Sequence, residues 1–343
     1  MRIQTHAFID LHVHLREPGQ VHKGDIAHET AAAQAGGFGL VVAMANTTPA
    51  IDRPARWEEQ RRRLAECAAP GVQVVQCACM TVERAGKEPV DAAALAAAGV
   101  IALSDDGSTT GDAGVMRECA ARAREAGLLM IDHCEDAEST RRGELALVER
   151  DIVAAMETGA RFHLQHLSTA EAVEMVRQAR RDGIPVSGEA TPHHLALDET
   201  AVARWGTNAK MSPPLRLPSD RLALLRGVAD GTLAVVATDH APHTAEEKGL
   251  EWSKAPNGII GLECAFAVAC TALVHGGLMT LEELVERFTT GPAQVLGVAV
   301  PQRTIEVEYD PEHPVRISTD GWRSKARNCP WEGFLGYGRV FTG

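Results

Sequence analysis

The chain is poor in the features that mark a disulfide-stabilised or membrane-spanning protein. Its 343 residues include eight cysteines, at positions 67, 77, 79, 119, 134, 264, 270 and 329, and none forms a CxxC pair. Cysteines scattered through a chain of this length favour reduced thiols in the cytoplasm over a disulfide framework. No apolar run is long enough for a transmembrane helix, and the first residues lack the layout of a signal peptide.

Positive charge is also scarce, because 34 lysines and arginines face 46 aspartates and glutamates, which gives a net charge of -12. This balance argues against a nucleic acid or an anionic membrane as partner. It does not exclude an anionic small molecule, whose binding depends on local charge. Hydrophobic residues make up 45% of the chain, which is enough for a substantial core. The length of 343 residues suits one large α/β domain or two small ones.

Short apolar segments alternate with longer amphipathic stretches. The candidate strands are residues 7–14, 38–44, 72–79, 100–104, 128–133, 161–166, 185–189 and 233–239. Ser168 with Glu171 predicts a capping box at the start of one helix, and Thr280 with Glu283 predicts another helix that runs to about Phe288. Eight strands separated by helices predict a closed, TIM-like (β/α)8 barrel.

An open doubly wound sheet is the alternative fold, but no Gly-x-Gly-x-x-Gly turn follows the first strand. The composition changes near the end of the chain, where proline, glycine, arginine and alternating β-formers become frequent. We therefore predict a barrel over residues 1–300 and a reduced β appendage over residues 301–343, formed mainly by this C-terminal tail.

The segment DLHVHLREPG contains His12 and His14, which point to the same side of an extended strand. The next residue expected on that face is Arg16, whose guanidinium group suits a carboxylate. Two unrelated histidines on a surface strand would give the same short pattern. The polar residues that follow the other candidate strands favour the metal-binding interpretation.

Polar side chains follow several candidate strands at their carboxyl ends, where barrel enzymes carry their active sites. Four histidines and one or two carboxylates form a suitable ligand set for a pair of divalent ions, most simply zinc. Asp106 is the natural bridge, although Asp105-Asp106-Gly107 alone could be a solvated turn. Asp239 could hold one ion and accept a proton from water. Such a metal pair promotes hydrolysis by lowering the pKa of water and polarising a carbonyl.

Two further motifs near these strand ends are given structural interpretations. His193 and His194 follow Thr191-Pro192, which is also how a helix begins, so we do not count them as ligands. Cys134 could be a nucleophile beside His133, but a packed small residue is the preferred interpretation.

The chain resembles a class I, bacterial-type dihydroorotase of the amidohydrolase superfamily. The resemblance rests on segments that run in family order over nearly the whole chain, namely DLHVHLREPG, MANTTPAID, SDDG, HCED, HLQHLSTAEAV, EATPHHL, KMSPPLR, VATDHAPHTAEEK, NGIIGLE and SKARNCPWEG. It implies a zinc-dependent, reversible cyclisation of N-carbamoyl-L-aspartate to L-dihydroorotate in de novo pyrimidine (UMP) biosynthesis.

The resemblance also implies a role for each matching residue. One zinc would be held by His12, His14 and Asp239, and the other by His133 and His166, with Asp106 as the bridge. Asp239 would be the catalytic acid and base. The resemblance also implies which residues bind the substrate, namely His14, Arg16, Asn46, Ser212, His243, Asn257 and Gly258.

The chain departs from the family pattern at three places. Ser212 stands where an asparagine is usual, the segment between His133 and His166 is shorter than usual, and few residues precede the first motif. The sequence leaves open a homodimer and a complex with aspartate carbamoyltransferase.

Two alternative functions are another cyclic-amide hydrolase and a non-catalytic scaffold protein. A hydantoinase or allantoinase would also hydrolyse a cyclic amide, but a neutral ring has no need of Arg16 and Asn46. A non-catalytic scaffold for aspartate carbamoyltransferase would be expected to have lost metal ligands, whereas all of the expected ligands are present.

Overall fold

The computed structural model describes residues 1–108 and 110–342. The strands in these residues are β1 (Arg2–His6), β2 (Phe8–Val13), β3 (Phe38–Ala43), β4 (Gln73–Gln76), β5 (Ala102–Leu103), β6 (Leu129–Asp132), β7 (Phe162–Leu164), β8 (Val186–Ala190), β9 (Val235–Val236), β10 (Thr304–Tyr309), β11 (Val315–Arg316), β12 (Leu335–Gly336) and β13 (Gly338–Phe341).

The helices lie mostly between these strands. They are α1 (Ile26–Ala35), α2 (Pro54–Cys67), α3 (Ala92–Ala98), α4 (Ala113–Ala126), α5 (Arg141–Thr158), α6 (Ala170–Arg181), α7 (Pro192–Ala196), α8 (Ala201–Trp205), α9 (Pro218–Ala229), α10 (Ala245–Lys248), α11 (Ala265–Cys270), α12 (Leu281–Phe288) and α13 (Thr290–Leu296). Short 3-10 turns cover Val82–Arg84 and Gly206–Ala209, and a π-helical turn covers Thr271–His275. Within the described residues, none of the helices combines the length and apolar character needed to traverse a bilayer.

The parallel strands follow one another in a circular order. One ladder contains β2, β3 and β4, and a second contains β5 to β9 in sequence. A parallel bridge between Ala78 and Leu103 joins the two ladders on one side, and a bridge between Val13 and His240 joins them on the other. All eight expected strands are therefore present, and most are shorter at their ends than the apolar runs predict.

The core is apolar at the amino end of β2, away from the histidines of that strand. Both β2 and β3 are buried along their whole lengths, as is usual for parallel strands that are covered on both faces. The Phe8 ring lies 5.7 Å from Phe38, 5.4 Å from Phe266 and 5.0 Å from Phe288, between ring centroids. This packing leaves the carboxyl ends of the strands to polar residues.

The β appendage includes the start of the chain as well as the tail. Strand β1 pairs antiparallel with β10, and β10 pairs with β13. The tail also shares a core with loops of the parallel region, because Trp331 is buried in one cluster with Met211, Ile259 and Ile260. The sequence did not identify β1, which is a short, half-exposed strand.

The structure confirms one predicted helix start and corrects another. Thr280 and Glu283 form a capping box at the start of α12, which ends at Phe288 as predicted. The cap of α6 is Thr169 and not Ser168, because the Thr169 hydroxyl accepts a hydrogen bond from Ala172 N. Ser168 instead bonds to the buried carboxylate of Glu144 through both its backbone N and its hydroxyl.

Candidate metal centre and its pocket

The residues expected to bind metal come together at the carboxyl ends of the parallel strands. His12 lies in β2, and the others follow the ends of β2, β5, β6, β7 and β9 by at most three residues, namely His14, Asp106, His133, His166 and Asp239. Because β2 and β9 are neighbours in the circular order, His12 Nε2 lies 3.3 Å from Asp239 Oδ1, although the two residues are 227 positions apart in sequence.

Asp106 lies between two groups of imidazoles. Its Oδ1 atom is 3.1 Å from His12 Nε2 and 3.6 Å from His133 Nδ1, and its Oδ2 atom is 3.6 Å from His14 Nε2. Asp239 Oδ1 lies 3.0 Å from His14 Nε2 and 3.3 Å from His12 Nε2. Asp106 thus occupies the position that a ligand shared by two ions would need.

The second group contains His133 and His166. His133 Nδ1 lies 2.7 Å from His166 Nε2, so the two ring nitrogens are directed at the same point. His133 Nε2 lies 3.3 Å from Glu135 Oε2. The six candidates form three groups of potential ligand atoms within 4.8 Å of one another, namely His12 with His14 and Asp106, His12 with His166 and Asp239, and Asp106 with His133 and His166.

The His12 ring is oriented from behind by a buried carboxylate. His12 Nδ1 lies 3.0 Å from Glu189 Oε1, which directs Nε2 toward Asp106 and Asp239. Among the described residues, this fully buried Nε2 has no hydrogen-bond partner of good geometry. A carboxylate behind a histidine is the usual support of a metal ligand, so a nitrogen that faces two carboxylates without a well-aligned hydrogen bond fits a divalent metal ion.

The charges of the site also fit a cation. Burial raises the pKa of Asp106, but the imidazoles of His12 and His14 outweigh this effect and hold that pKa well below its ordinary value. Burial lowers the pKa of His12, yet Asp239 and Asp106 raise it well above its ordinary value. The carboxylates thus favour positive charge beside them, and a bound metal ion would supply that charge.

Arg16 faces the same pocket, but not for the reason that the sequence suggested. Strand β2 ends at Val13, and Arg16 has a left-handed backbone with a φ of 64°. The turn, not strand alternation, therefore directs its side chain. Arg16 Nε donates to Pro242 O at 3.1 Å, and its Nη2 lies 3.2 Å from His243 Nε2.

His243 is kept neutral beside Arg16. Burial lowers the pKa of His243 to about 3, and the charges of Arg16 and Lys23 act in the same direction. A neutral ring can accept a hydrogen bond from the arginine, whereas a protonated ring would repel it. The pair therefore presents one fixed positive charge to the pocket.

Asn46 connects the two sides of the site. Its Oδ1 atom lies 3.1 Å from His14 Nδ1, and its Nδ2 donates to Asp106 Oδ2 at 3.0 Å. In this arrangement Asn46 orients two metal-ligand candidates and also lines the pocket.

The pocket has a volume of about 240 Å³ and contains every residue expected to bind substrate. Ser212 lies on its wall and hydrogen-bonds to Glu135, and the Ser212 hydroxyl is 3.1 Å from that of Ser139. The lining also includes residues that sequence analysis did not single out, namely Gly107, Met211 and Ala241.

Three of the site residues have a left-handed backbone, which is uncommon outside glycine. The φ angles are 64° for Arg16, 31° for His166 and 46° for Asp239. Such conformations cost free energy and persist where the surrounding structure fixes them, often at functional sites.

Sequence analysis missed two buried carboxylates that support the site. Glu189 contacts His12, and its other oxygen lies 2.9 Å from His163 Nε2. Asp10 accepts hydrogen bonds from the backbone N of His12 and Thr238, both at 3.0 Å. Asp10 is on the same face of β2 as His12, and Glu189 lies near the carboxyl end of β8. Their positions were therefore the signal by which the sequence could have identified them.

The histidines and the cysteine that were left out of the ligand set have structural contacts of their own. Thr191 caps α7, so His193 and His194 begin a helix. His194 Nε2 lies 3.0 Å from Pro213 O. Cys134 is buried beside Asp151, and burial raises the pKa of its thiol well above the ordinary value, which favours a packed thiol over a reactive thiolate.

Comparisons with known proteins show what the whole chain is similar to. A family model described as dihydro-orotase-like matches residues 2–149. The chain is 43% identical to a dihydroorotase of Anaeromyxobacter dehalogenans (strain 2CP-C) over 359 aligned positions, which cover 96% of this chain and 82% of that relative. It is 40% identical to a dihydroorotase of Geobacillus thermodenitrificans, with 95% and 82% covered.

The fold is similar to that of solved hydantoinases. The L-hydantoinase (dihydropyrimidinase) of Arthrobacter aurescens aligns with a TM-score of 0.88 at 21% identity, covering 98% of this chain and 82% of that one. The D-hydantoinase of a Thermus species aligns with a TM-score of 0.83 at 23% identity, covering 99% and 82%. At identities this low, the similarity to the hydantoinases shows a shared fold and nothing further.

Proposed function

The chain belongs to the dihydroorotase family of cyclic-amide hydrolases, and from this premise we propose that it interconverts N-carbamoyl-L-aspartate and L-dihydroorotate in pyrimidine synthesis. One observation carries the proposal. Arg16 lines a single pocket together with five metal-ligand candidates, namely His14, Asp106, His133, His166 and Asp239. A cyclic amide that bears a carboxylate needs both a polarising cation and a fixed positive charge beside it.

We assign the chain to the class I, bacterial type, with a closed (β/α)8 barrel drawn from residues 1–300 and a β appendage of residues 301–343, to which β1 at the start of the chain adds a strand. The circular strand order supports the barrel. The central position of Asp106 supports an aspartate-bridged variant of the metal centre, where many relatives of the superfamily use a carboxylated lysine.

In this proposal, His12, His14 and Asp239 would hold one zinc ion, and His133 and His166 would hold a second, with Asp106 shared between them. When bound, such ions lower the pKa of water and polarise the amide carbonyl. Glu189 keeps His12 in the orientation that this role requires.

The protein's own residues supply the remaining steps. Asp239 takes a proton from the water that adds to the ring carbonyl carbon, and it returns a proton to the ring nitrogen as the C–N bond breaks. Arg16, Asn46 and His243 bind the substrate carboxylate. Ser212 and the backbone of Asn257 and Gly258 contact the ring. In ring closure the same groups act in reverse.

We place the reaction in the cytoplasm, because the eight cysteines are free thiols in the described residues and such thiols suit a reducing compartment. A homodimer and a complex with aspartate carbamoyltransferase, which the sequence leaves open, are untested. Size-exclusion chromatography with light scattering, with and without the transferase, tests both.

The experiment that tests the function is a spectrophotometric assay of dihydroorotate hydrolysis before and after treatment with a chelator. We expect activity that the chelator removes and added zinc restores, and metal analysis should give about two zinc ions per chain. Hydantoin and allantoin serve as control substrates without the carboxylate.

Two outcomes would contradict the proposal. Full activity in protein shown to be free of metal would refute the metal-dependent scheme. Faster turnover of hydantoin or allantoin than of dihydroorotate would assign the chain to another class of cyclic-amide hydrolase.

A further inference from the structure

A buried asparagine of the C-terminal tail contacts three separate backbone groups at the wall of the pocket. Asn328 is 4% exposed. Its Nδ2 donates to Ala241 O and to Gly258 O, both at 3.0 Å, and its Oδ1 accepts from His243 N at 3.0 Å. All of the side chain's polar atoms are therefore directed at residues that line the pocket.

A buried lysine contacts the same segment from the other side. Lys248 Nζ donates to Gly258 O and Pro256 O, both at 3.0 Å, and lies 3.4 Å from Lys210 O. Gly258 N in turn donates to Lys210 O at 3.0 Å. The carbonyl of Gly258 thus accepts two side-chain hydrogen bonds, one from Lys248 and one from Asn328.

Gly258 is packed closely against the substrate-binding histidine. A Cβ atom at this position would lie 2.7 Å from His243 Cδ2 and 2.8 Å from Ala241 O, and the φ of 146° is one that other residues rarely adopt. A shift of the Gly258 backbone would therefore move the His243 ring, which lies 3.2 Å from Arg16.

We propose that Asn328 and Lys248 are positioning residues that fix the Gly258 backbone and His243 at the pocket wall, and so set how the substrate's ring and carboxylate are held. The proposal rests on the proposed function for the identity of the substrate. Neither residue lines the pocket, and neither is among the metal-ligand candidates. Their loss should therefore weaken substrate binding and leave the metal centre and the chemical step in place.

The kinetic test compares Asn328→Ala, Asn328→Asp and Lys248→Met with Ser324→Ala. Ser324 is a matched control, since it is also a buried polar residue of the tail but bonds to Glu263 and Ala326. We expect each of the three variants to raise KM for dihydroorotate by about fivefold or more, with kcat within about twofold and zinc content unchanged. Ser324→Ala should keep the wild-type KM.

A second measurement reads the backbone directly and does not depend on the substrate. Hydrogen exchange followed by mass spectrometry should be faster at residues 241–243 and 256–259 in the three variants than in wild type or Ser324→Ala. The backbone bond from Ile260 N to Asn328 O, at 3.1 Å, is kept in every variant, so the tail should stay attached.

The outcomes separate the two proposals. If wild type does not hydrolyse dihydroorotate, the proposed function fails, and local exchange alone decides the positioning role. If exchange and KM are unchanged in Asn328→Ala and Lys248→Met, the positioning role is overturned. An equal loss of kcat, zinc and thermal stability in these variants would also overturn it, because that pattern means general destabilisation.

Discussion

At the scale of single residues, a buried carboxylate outside the pocket orients the histidines of the candidate metal centre. Glu189 is fully buried, and its two oxygens contact His12, His163 and the backbone N of His166. Burial raises the pKa of Glu189, but hydrogen bonds from His12 and His163 outweigh it and lower that pKa to about 2. A fixed negative charge is thereby kept behind the metal-ligand candidates across the neutral pH range.

Glu189→Gln is expected to weaken metal binding without unfolding the protein. The amide keeps the shape of the side chain but removes the charge that orients His12, and losses of this kind lower metal affinity by about 10- to 100-fold. Competition with a chromogenic zinc chelator measures the change. Glu144→Gln is the control, because it neutralises another buried carboxylate outside the site. Equal zinc affinity in wild type and Glu189→Gln would contradict this interpretation.

Asp239→Asn is expected to lower kcat by at least about 100-fold, because the amide cannot carry the proton from water to the ring nitrogen. The far-UV circular dichroism spectrum should match that of wild type. Asp230→Asn, which changes a carboxylate at the end of α9 that pairs with Arg177, should retain activity. A kcat near that of wild type in Asp239→Asn would refute the assignment of Asp239 as acid and base.

Arg16→Ala is expected to raise KM for dihydroorotate about 100-fold or more, since a charge-assisted bidentate pair is lost. The same change should have little effect on an uncharged cyclic imide. Arg16→Lys, which keeps the charge but not the fork, should lie between these values. Equal effects on both substrates would mean that Arg16 does not recognise the carboxylate.

The contrast between Arg16 and Glu189 explains how much of the site could be predicted from sequence. Ligand residues carry their own chemical signal, and each expected ligand lies at the site. The supporting residues do not, because a glutamate at a strand end has no chemical mark until the fold brings His12 beside it. The orientation of Arg16 required a left-handed turn that strand periodicity cannot predict.

At the scale of elements, the alternation of short buried strands and longer helices was enough to predict the circular order. The apolar runs overestimated strand length, since β5 and β9 have two residues each. Pairing partners far apart in sequence were not predictable. Strand β1 pairs with β10 through Arg2 and Glu308, and neither strand has a local signal for the other.

Thr280→Ala is expected to destabilise the protein by about 1 kcal/mol, because the capping box at the start of α12 is lost. Urea denaturation followed by circular dichroism measures the free energy of unfolding. Thr200→Ala is a matched control, since Thr200 begins α8 without a side-chain capping bond. Losses of the same size in both variants would show that the cap is not the cause.

At the scale of the whole molecule, the tail is attached to the parallel region by a shared core. Trp331 packs with Ile259 and Ile260, and Asn328 bonds to the loops that follow β9. A segment that shares its core and its polar contacts in this way is expected to unfold together with the rest of the chain.

Thiol labelling in urea, read by mass spectrometry at each cysteine, tests this expectation. Cys67 is exposed and should react in the native protein, whereas Cys329 of the tail and Cys119 of α4 are buried. Burial raises the pKa of both buried thiols to about 12. They should become reactive at the same urea concentration. Labelling of Cys329 well before Cys119 would show that the tail unfolds on its own.

The contact between β2 and the residues after β9 has a consequence for how the proposed metal centre would be assembled. Val13 bridges to His240, His14 N donates to His240 O at 2.9 Å, and Asp10 accepts from Thr238. This seam joins the first and last parallel strands, and His12, His14 and Asp239 lie along it. A chain still being synthesised cannot assemble this ligand group until the last strand has docked. An ion in the proposed metal centre would therefore be bound late in maturation, and it would stabilise the contact between the first and last parallel strands.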